Sequence, residues 1–363
     1  MGKNKIIGVD AGCLGVKDKR LKVGVYQVAF NLLKELGKLD KANEYRLYSF
    51  YPIEEKLMRL MGERMKNIVL KPRKGWFSIR LPLELKLNPV DIFLGLSQAL
   101  PHSLSHNILM VYDLAFEHYP QFYLDSYKSL SKNTKTALKL AHKIITISQS
   151  TKRDLVELYR VQEKRIEACY LGVSKDFNPK GKKFKSGVPY FLFVGALKKN
   201  KNIPQILKGF NYFLAKSSKK FNLILVGGDL WLDAEITKTI KELKLTDKII
   251  TTGFINNQDL LEYYRGATAF VSPSLYEGGG LTHLEAMACG IPVIAGNVSS
   301  MPELVGSAGI LVDPKSEEKI GRAMLKIVND KEFKNDLIKK GLVQAKKFSW
   351  QKFAENVLEI INY

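Results

Sequence analysis

Cysteine is scarce in this chain. Cys13, Cys169 and Cys289 are the only three in 363 residues, and no two form a CxxC pair. That excludes a disulfide framework or a zinc cage, and the three read as buried small hydrophobes. Histidine is nearly as rare: five residues, scattered, with no HExxH spacing, so no metal site is expected. No stretch approaches the ~18 consecutive apolar residues that cross a bilayer. The opening MGKNKIIGVDAG lacks the apolar core of a signal peptide and the Ser or Thr of a myristoylation site. Together these absences predict a soluble chain that stays in the cytoplasm. Gly (27) and Pro (13) are ordinary in number and 45% of residues are hydrophobic, which excludes a collagenous or largely disordered chain.

Acidic residues are outnumbered. Lys and Arg total 57 against 36 Asp and Glu, a formal charge of +21. Such a surface favours polyanions such as nucleic acid, anionic lipid or phosphorylated small molecules, although lysine used for solubility accounts for much of it. No DNA- or RNA-binding signature accompanies the charge, so no specific nucleic-acid partner is expected.

At roughly 100–200 residues per domain, the length predicts two domains. Short β-branched runs alternate with helical patterns throughout. KIIGVD (5–10), YRLYSF (45–50), NIVL (67–70), VDIFLGL (90–96), NILMVYD (107–113) and KIITIS (143–148) read as strands, and VYQVAFNLLKELGKL (25–39) as a helix. Near-continuous apolar strands separated by helices indicate βαβ units in a parallel sheet. The rhythm breaks at SKDFNPKGKKFKSGVP (174–189), which is polar, basic and punctuated by Pro and Gly. It restarts at YFLFVGA (190–196), followed by FNLILVGG, KIITTGF, TAFVSPS and IPVIAG. Three helical stretches, roughly 316–329, 331–347 and 350–361, close the chain. The expected architecture is α/β, with two doubly wound parallel-sheet domains. The first spans 1–175, a linker 176–189, the second 190–347, and 348–363 is a final helix crossing back to the first domain.

Residues 271–296, VSPSLYEGGGLTHLEAMACGIPVIAG, carry the most chemistry. A strand ends near Ser274, a loop with Glu277 and three glycines follows, and a helix runs from about Leu281 to Gly290. Glycines before a helix let backbone N–H groups approach an anion, and phosphate is the natural occupant. No Gly-Lys-Ser/Thr follows, so this is not a P-loop, and His283 stands where a dinucleotide GxGxxG would need glycine. Glu277 and Glu285 flank the anion seat. A carboxylate beside a phosphate is costly unless it accepts hydroxyl hydrogen bonds, which a pyrophosphate with a sugar at each end would supply.

This segment resembles the two-glutamate signature of the family 4 retaining glycosyltransferases, of the mannosyltransferase-like branch. The likeness runs through VDAGCLG, ITISQSTKRDLVELYRV, VSKDFNP, VGALKKNKNIPQILKGF and TTGFINNQDLLEYYRGATAFVSPSLYEGGG to FSWQKFAENVLEII. It implies the GT-B fold, two facing Rossmann-like domains with a deep cleft between them. It implies transfer of a hexose, mannose in that branch, from a nucleotide diphosphate sugar, with retained configuration and without a metal or other cofactor. The acceptor would be a glycan or a lipid-linked glycan of cell-envelope polysaccharide synthesis. By the same resemblance Glu277 contacts the donor sugar and stabilises developing positive charge, and Glu285 binds the ribose hydroxyls. Gly279, Gly280 and Leu281 offer backbone to the diphosphate, Lys201 neutralises the leaving group, and Phe254 stands where the base packs. Taken alone, Lys201 would be one surface lysine among many and Phe254 a core residue.

The chain departs from the family pattern in four places. Asn200 replaces an arginine beside Lys201, and the His-Asp pair facing the donor sugar appears as Tyr112-Asp113. The loop after Glu277 is Gly278-Gly279-Gly280, without its usual Phe. The glycine pair opening the first long helix is reduced to Gly24, with Tyr26 at the second place. A catalytically degenerate GT-B binding or regulatory protein, or a sugar-nucleotide epimerase, is therefore the alternative. Residues 56–86 hold nine Lys and Arg against two acids, with Trp76 and Phe77 embedded. They read either as a patch for peripheral contact with the anionic inner face of the membrane, or as an ordinary helix and strand with core aromatics.

Overall fold

The computed structural model describes residues 4–18, 22, 24–228 and 234–363. It divides into two units, Met1–Gly172 with Trp350–Tyr363, and Val173–Ser349.

The first unit holds a seven-stranded sheet: β1 (Ile6–Asp10), β2 (Glu44–Ser49), β3 (Met65–Val69), β4 (Ile92–Gly95), β5 (His106–Val111), β6 (Lys143–Thr146) and β7 (Ile166–Ala168). Its order is β3-β2-β1-β4-β5-β6-β7, every pair parallel. The second unit holds β8 (Tyr190–Val194), β9 (Asn222–Val226), β10 (Ile249–Gly253), β11 (Ala269–Ser272), β12 (Val293–Gly296) and β13 (Ile310–Val312). These run in the order β10-β9-β8-β11-β12-β13, again wholly parallel. Both are Rossmann-like sheets, because hydrophobic runs buried on both faces require helices on each side.

Each unit has its own core. In the second, Phe191, Phe210, Phe213 and Phe221 pack stacked and edge-to-face with centroids 5.1–6.2 Å apart. Each fully buried ring contributes about 2–3 kcal/mol. In the first, Trp76 is buried edge-on to Phe50 at 5.2 Å. Helix α1 (Val25–Leu39) turns Val28, Leu32, Leu33 and Leu36 inward. The final helix, α14 (Trp350–Asn362), buries Phe353, Val357 and Ile361, an i, i+4, i+8 stripe that packs on α1. Lys5 Nζ donates to the Ile361 carbonyl at 2.8 Å, tying that helix to the first strand.

Residues 173–189 are counted with the second unit. Arg265 donates to the Asn178 and Asp176 carbonyls at 2.9 and 3.2 Å, and Phe184 stacks on Tyr263 at 4.1 Å. Among the described residues no helix is long and apolar enough to cross a membrane.

Candidate active site

The order of the second sheet reverses between β8 and β11. In open parallel sheets ligands gather at such a point, outside the carboxyl ends of the strands. Two loops leave the sheet there, residues 195–202 after β8 and 273–280 after β11, and they are stitched together. The Leu275 N–H donates to the Asn200 carbonyl at 2.9 Å. Asn202, in a left-handed conformation (φ 62°), donates its amide to the carbonyls of Pro273 at 3.0 Å and Pro314 at 2.6 Å. Across this stitch Lys201 Nζ meets Glu277 Oε1 at 2.6 Å, with side chains 21% and 11% exposed.

Glu277 is held from several sides. Ser274 Oγ donates to the same Oε1 at 2.8 Å, the Glu277 N–H donates to Ser299 Oγ at 2.9 Å, and Ser300 Oγ donates to the Glu277 carbonyl at 2.7 Å. Burial alone would raise this carboxyl. The Lys201 ammonium and the hydrogen bonds from Lys201 and Ser274 outweigh it and hold Glu277 below the usual carboxylate range.

Beyond Glu277 the chain passes through Gly278, Gly279 and Gly280 into α10 (Leu281–Ala288). Gly280 has φ 51°, and a Cβ there would lie 2.6 Å from Met301 Cε and 3.0 Å from Leu304 Cδ1, so both conformation and space demand glycine. The helix aims its positive end and first-turn N–H groups at this loop, which makes an anion seat beside the ion pair.

Glu285 lies in a different environment. Burial raises its carboxyl to about 7, only partly offset by the Tyr264 hydroxyl, which donates to Oε2 at 2.9 Å. Two acids eight residues apart thus differ in charge near neutral pH, one a paired anion and the other half-protonated. Phe254 follows Gly253 at the end of β10 and is 43% exposed.

Gly24, Tyr112 and Asp113 belong to the first unit. Tyr112 follows β5 and donates its hydroxyl to the Leu96 carbonyl at 2.7 Å, and burial pushes its phenol well up. Asp113 Oδ1 accepts the Ala115 N–H at 3.1 Å. Gly24 caps α1 with φ 52° and open space at its Cβ position.

Several residues here carry no sequence cue of their own. Ser274, Ser299, Ser300 and Tyr264 are ordinary residue types whose roles come from tertiary neighbours. His283 does offer a cue, as an imidazole in the first turn of a mostly apolar helix. It is fully buried, its Nε2 lies 3.1 Å from the Ser272 carbonyl, and Nδ1 has no partner. Burial lowers its pKa against the opposing pull of Glu277, so the ring is neutral and donates from Nε2. In the first unit, buried Asp10 accepts from Ser97 Oγ where that sheet reverses between β1 and β4. Among the described residues no three His, Cys, Asp or Glu side chains gather into a metal-ligand set.

Residues 174–344 match the family Glycosyl transferases group 1. The O-antigen chain mannosyltransferase B of Escherichia coli is 30% identical over 270 residues, covering 72% of this chain and 71% of that protein. The chain belongs to the group 1 glycosyltransferases. Its likeness is to their mannosyltransferase-like branch. The serotype-specific mannosyltransferase WbdA of Escherichia coli is 26% identical over 251 residues, 64% of this chain but only 30% of that longer protein. The sucrose-phosphate synthase of Thermosynechococcus elongatus superposes with a TM-score of 0.78 at 19% identity, covering 99% of this chain and 98% of that one. That likeness bears on the fold, the GT-B pair of Rossmann-like domains. Membership in a glycosyltransferase family favours group transfer over the epimerase and binding-only alternatives.

Proposed function

We propose that this glycosyltransferase moves a hexosyl group, mannosyl by analogy with the names of its relatives, from a nucleotide diphosphate sugar to a glycan or lipid-linked glycan. Transfer would retain the anomeric configuration and need no metal or other cofactor. The observation that carries the reading is the Lys201–Glu277 pair spanning the reversal point of the second sheet, beside the anion seat of α10.

In this scheme the diphosphate rests on the backbone of Gly279, Gly280 and Leu281, with Lys201 beside it. As the anomeric C–O bond breaks, its electron pair goes to the departing phosphate oxygen, and Lys201 stabilises the added charge. Glu277, held anionic, faces the developing positive charge on the sugar. The acceptor hydroxyl attacks from the same face and gives its proton to that phosphate oxygen, so the protein supplies orientation and charge rather than a nucleophile. Glu285 accepts from the ribose hydroxyls, Phe254 offers a face to the base, and Asn200 braces the lysine loop. Gly24, Tyr112 and Asp113 take the first-unit roles that the family resemblance assigns.

The chain would also make peripheral contact with an anionic membrane surface. Trp76 is core, so the aromatics do not carry it. Ile79, Leu83 and Leu87 do support it: they stand at i, i+4, i+8 and are 70%, 49% and 67% exposed, among Lys74, Arg80 and Lys86. Sedimentation with anionic vesicles tests it, and no binding at low salt would end the idea.

A thermal-shift panel of nucleoside diphosphates and their sugars, followed by turnover with the stabilising donor, tests the main reading. Glu277→Gln should keep donor binding and lose about 100-fold or more in kcat. Full activity in that variant, or no nucleotide that stabilises the chain, would overturn it. NMR of the product's anomeric proton reports retention, and undiminished turnover in excess EDTA reports metal independence.

A further inference from the structure

A cavity of about 680 Å³, away from the proposed donor site, opens on the far edge of the second sheet. Strand β13 forms one wall and is the edge strand, paired only with β12. Helix α12 (Glu317–Asn329) forms another, and Phe333 of α13 (Lys331–Ala345) closes an end. None of the residues assigned above to donor or acceptor lines it. Its floor is apolar: Ile310, Leu311, Val312, Pro314 and Ala323. Its rim is cationic, because Lys319, Arg322 and Lys326 follow one another at i, i+3, i+7 on a single face of α12.

The rim charges are available. Lys319 makes no ion pair among the described residues. Arg322 pairs with Glu318 at 2.7 Å, an exposed couple that an incoming anion can displace. Lys326 Nζ sits 3.9 Å from the Phe333 ring centre, held at the cavity mouth by a cation–π contact. The one acid in the lining, Asp313, already accepts the Lys315 N–H at 3.0 Å.

The cavity's walls are also hydrogen-bonded, through their sequence neighbours, to the loops that carry Lys201 and Glu277. Asn297 and Val298 line it, and the Asn297 N–H donates to the Val312 carbonyl at 2.7 Å. The next two residues are Ser299, held at φ 48°, and Ser300, the two that grip the Glu277 backbone. Pro314, on the opposite side, accepts the amide of Asn202, the neighbour of Lys201. We propose that this cavity is a second ligand site, for a small amphipathic anion. The apolar body would rest on β13 and Phe333, and the carboxylate, sulfonate or phosphate would lie among Lys319, Arg322 and Lys326. Occupancy adjusts transfer through the 297–300 and 313–314 loops. The adjustment of transfer rests on the roles given above to Lys201 and Glu277, whereas the site itself does not.

The probe is 1-anilinonaphthalene-8-sulfonate, titrated by fluorescence into the full chain. Its neutral analogue N-phenyl-1-naphthylamine serves as control. One saturable equivalent is expected, weakening with added NaCl, with affinity reduced at least tenfold in Lys319→Glu/Arg322→Glu. Both substitutions are on exposed side chains, and an unchanged Tm certifies the fold. Filling the floor with Ala323→Phe should also expel the probe. Saturating probe should change kcat or KM for transfer at least twofold in the unsubstituted chain and leave the double variant unaffected. Undiminished binding to the double variant, or equal binding of the neutral analogue, overturns the site. Binding without any change in turnover overturns the coupling. Glu277→Gln separates the two readings: it should bind the probe normally, and if it also remained fully active the catalytic assignment would fall while the cavity stood.

Discussion

Glu285→Gln separates a residue kept for chemistry from one kept for stability. Raising a carboxyl from its ordinary 4.5 to about 7 by burial makes its charged form about 3 kcal/mol less favourable in the folded chain than in the unfolded one. Part of the residue stays in contact with solvent, which makes this an upper bound. The sign follows from proton counts. Between pH 4.5 and about 7 the folded chain keeps a proton that the unfolded chain has released, so stability falls as pH rises through that window and stays reduced above it. A neutral amide of the same shape removes the penalty. At pH 8 the second unit of Glu285→Gln should melt higher by as much as about 10 °C, given about 2–4 °C per kcal/mol for a unit of this size. At pH 3 the gain should vanish, because that lies well below both the ordinary 4.5 and the folded value of about 7, and Glu285 is then protonated in both states. Differential scanning calorimetry at the two pH values measures this. An equal gain at both pH values, or a loss at pH 8, would refute the burial argument. The same variant should bind the stabilising nucleotide about tenfold more weakly, since an amide cannot accept both ribose hydroxyls as a carboxylate does.

Lys201→Met should cost about 3 kcal/mol at neutral pH, because it strands a buried carboxylate, and should lower kcat by 100-fold or more. Denaturant melts and single-turnover assays read the two losses separately, and a variant with near-normal kcat would remove Lys201 from the mechanism. Gly280→Ala forces a left-handed alanine against Met301 and Leu304 and should cost about 2 kcal/mol with a loss of donor affinity; unaltered nucleotide binding by calorimetry would contradict the anion seat. His118 is raised mainly by its hydrogen bond to Asp154 at 3.1 Å, with burial opposing. Its contribution is therefore full below pH 6.5 and lost as pH rises through the higher folded value; a melt series on His118→Gln should be flatter across that range than the parent.

Much of the fold was legible because a buried parallel strand writes itself as an unbroken apolar run. Eleven of the thirteen described strands correspond to segments read in this way, KIIGVD and YFLFVG among them. The two three-residue edge strands, β7 and β13, offer too few residues for a pattern, and tertiary pairing alone defines them. Helix α1 was readable to its ends because its apolar residues recur at helical spacing between Gly24 and Asp40. In the site, Glu277, Glu285 and the glycines stood out by spacing, and Lys201 only through the family resemblance. Four residues that fix their protonation and direction, Ser274, Ser299, Ser300 and Tyr264, did not, because they are ordinary residue types whose roles come from hydrogen bonds made in the folded chain. The segment 174–189 shows the limit from the other side: its composition reads as a tether, whereas its backbone carbonyls are tied down by Arg265.

The departures from the family pattern acquire physical content once their contacts are known. Tyr26, at the place of a second helix-opening glycine, is buried and stacks on Phe30 at 6.4 Å, so it fills core. Asn200, where the family has arginine, lends no charge to the site. Its carbonyl takes the Leu275 N–H and its amide reaches toward the Tyr276 carbonyl at 3.4 Å, so it works as a strut between the two loops that meet at the sheet's reversal. Two cations side by side would each share the diphosphate and repel one another. A single lysine on a braced loop has no rival, and it lies 2.6 Å from the glutamate whose charge, in the proposed transfer, it would trade for that of the phosphate. In the proposed transfer the leaving-group charge would therefore fall on Lys201 alone, and the rigidity of the 198–202 turn, rather than the number of positive charges, would set how well that lysine is placed.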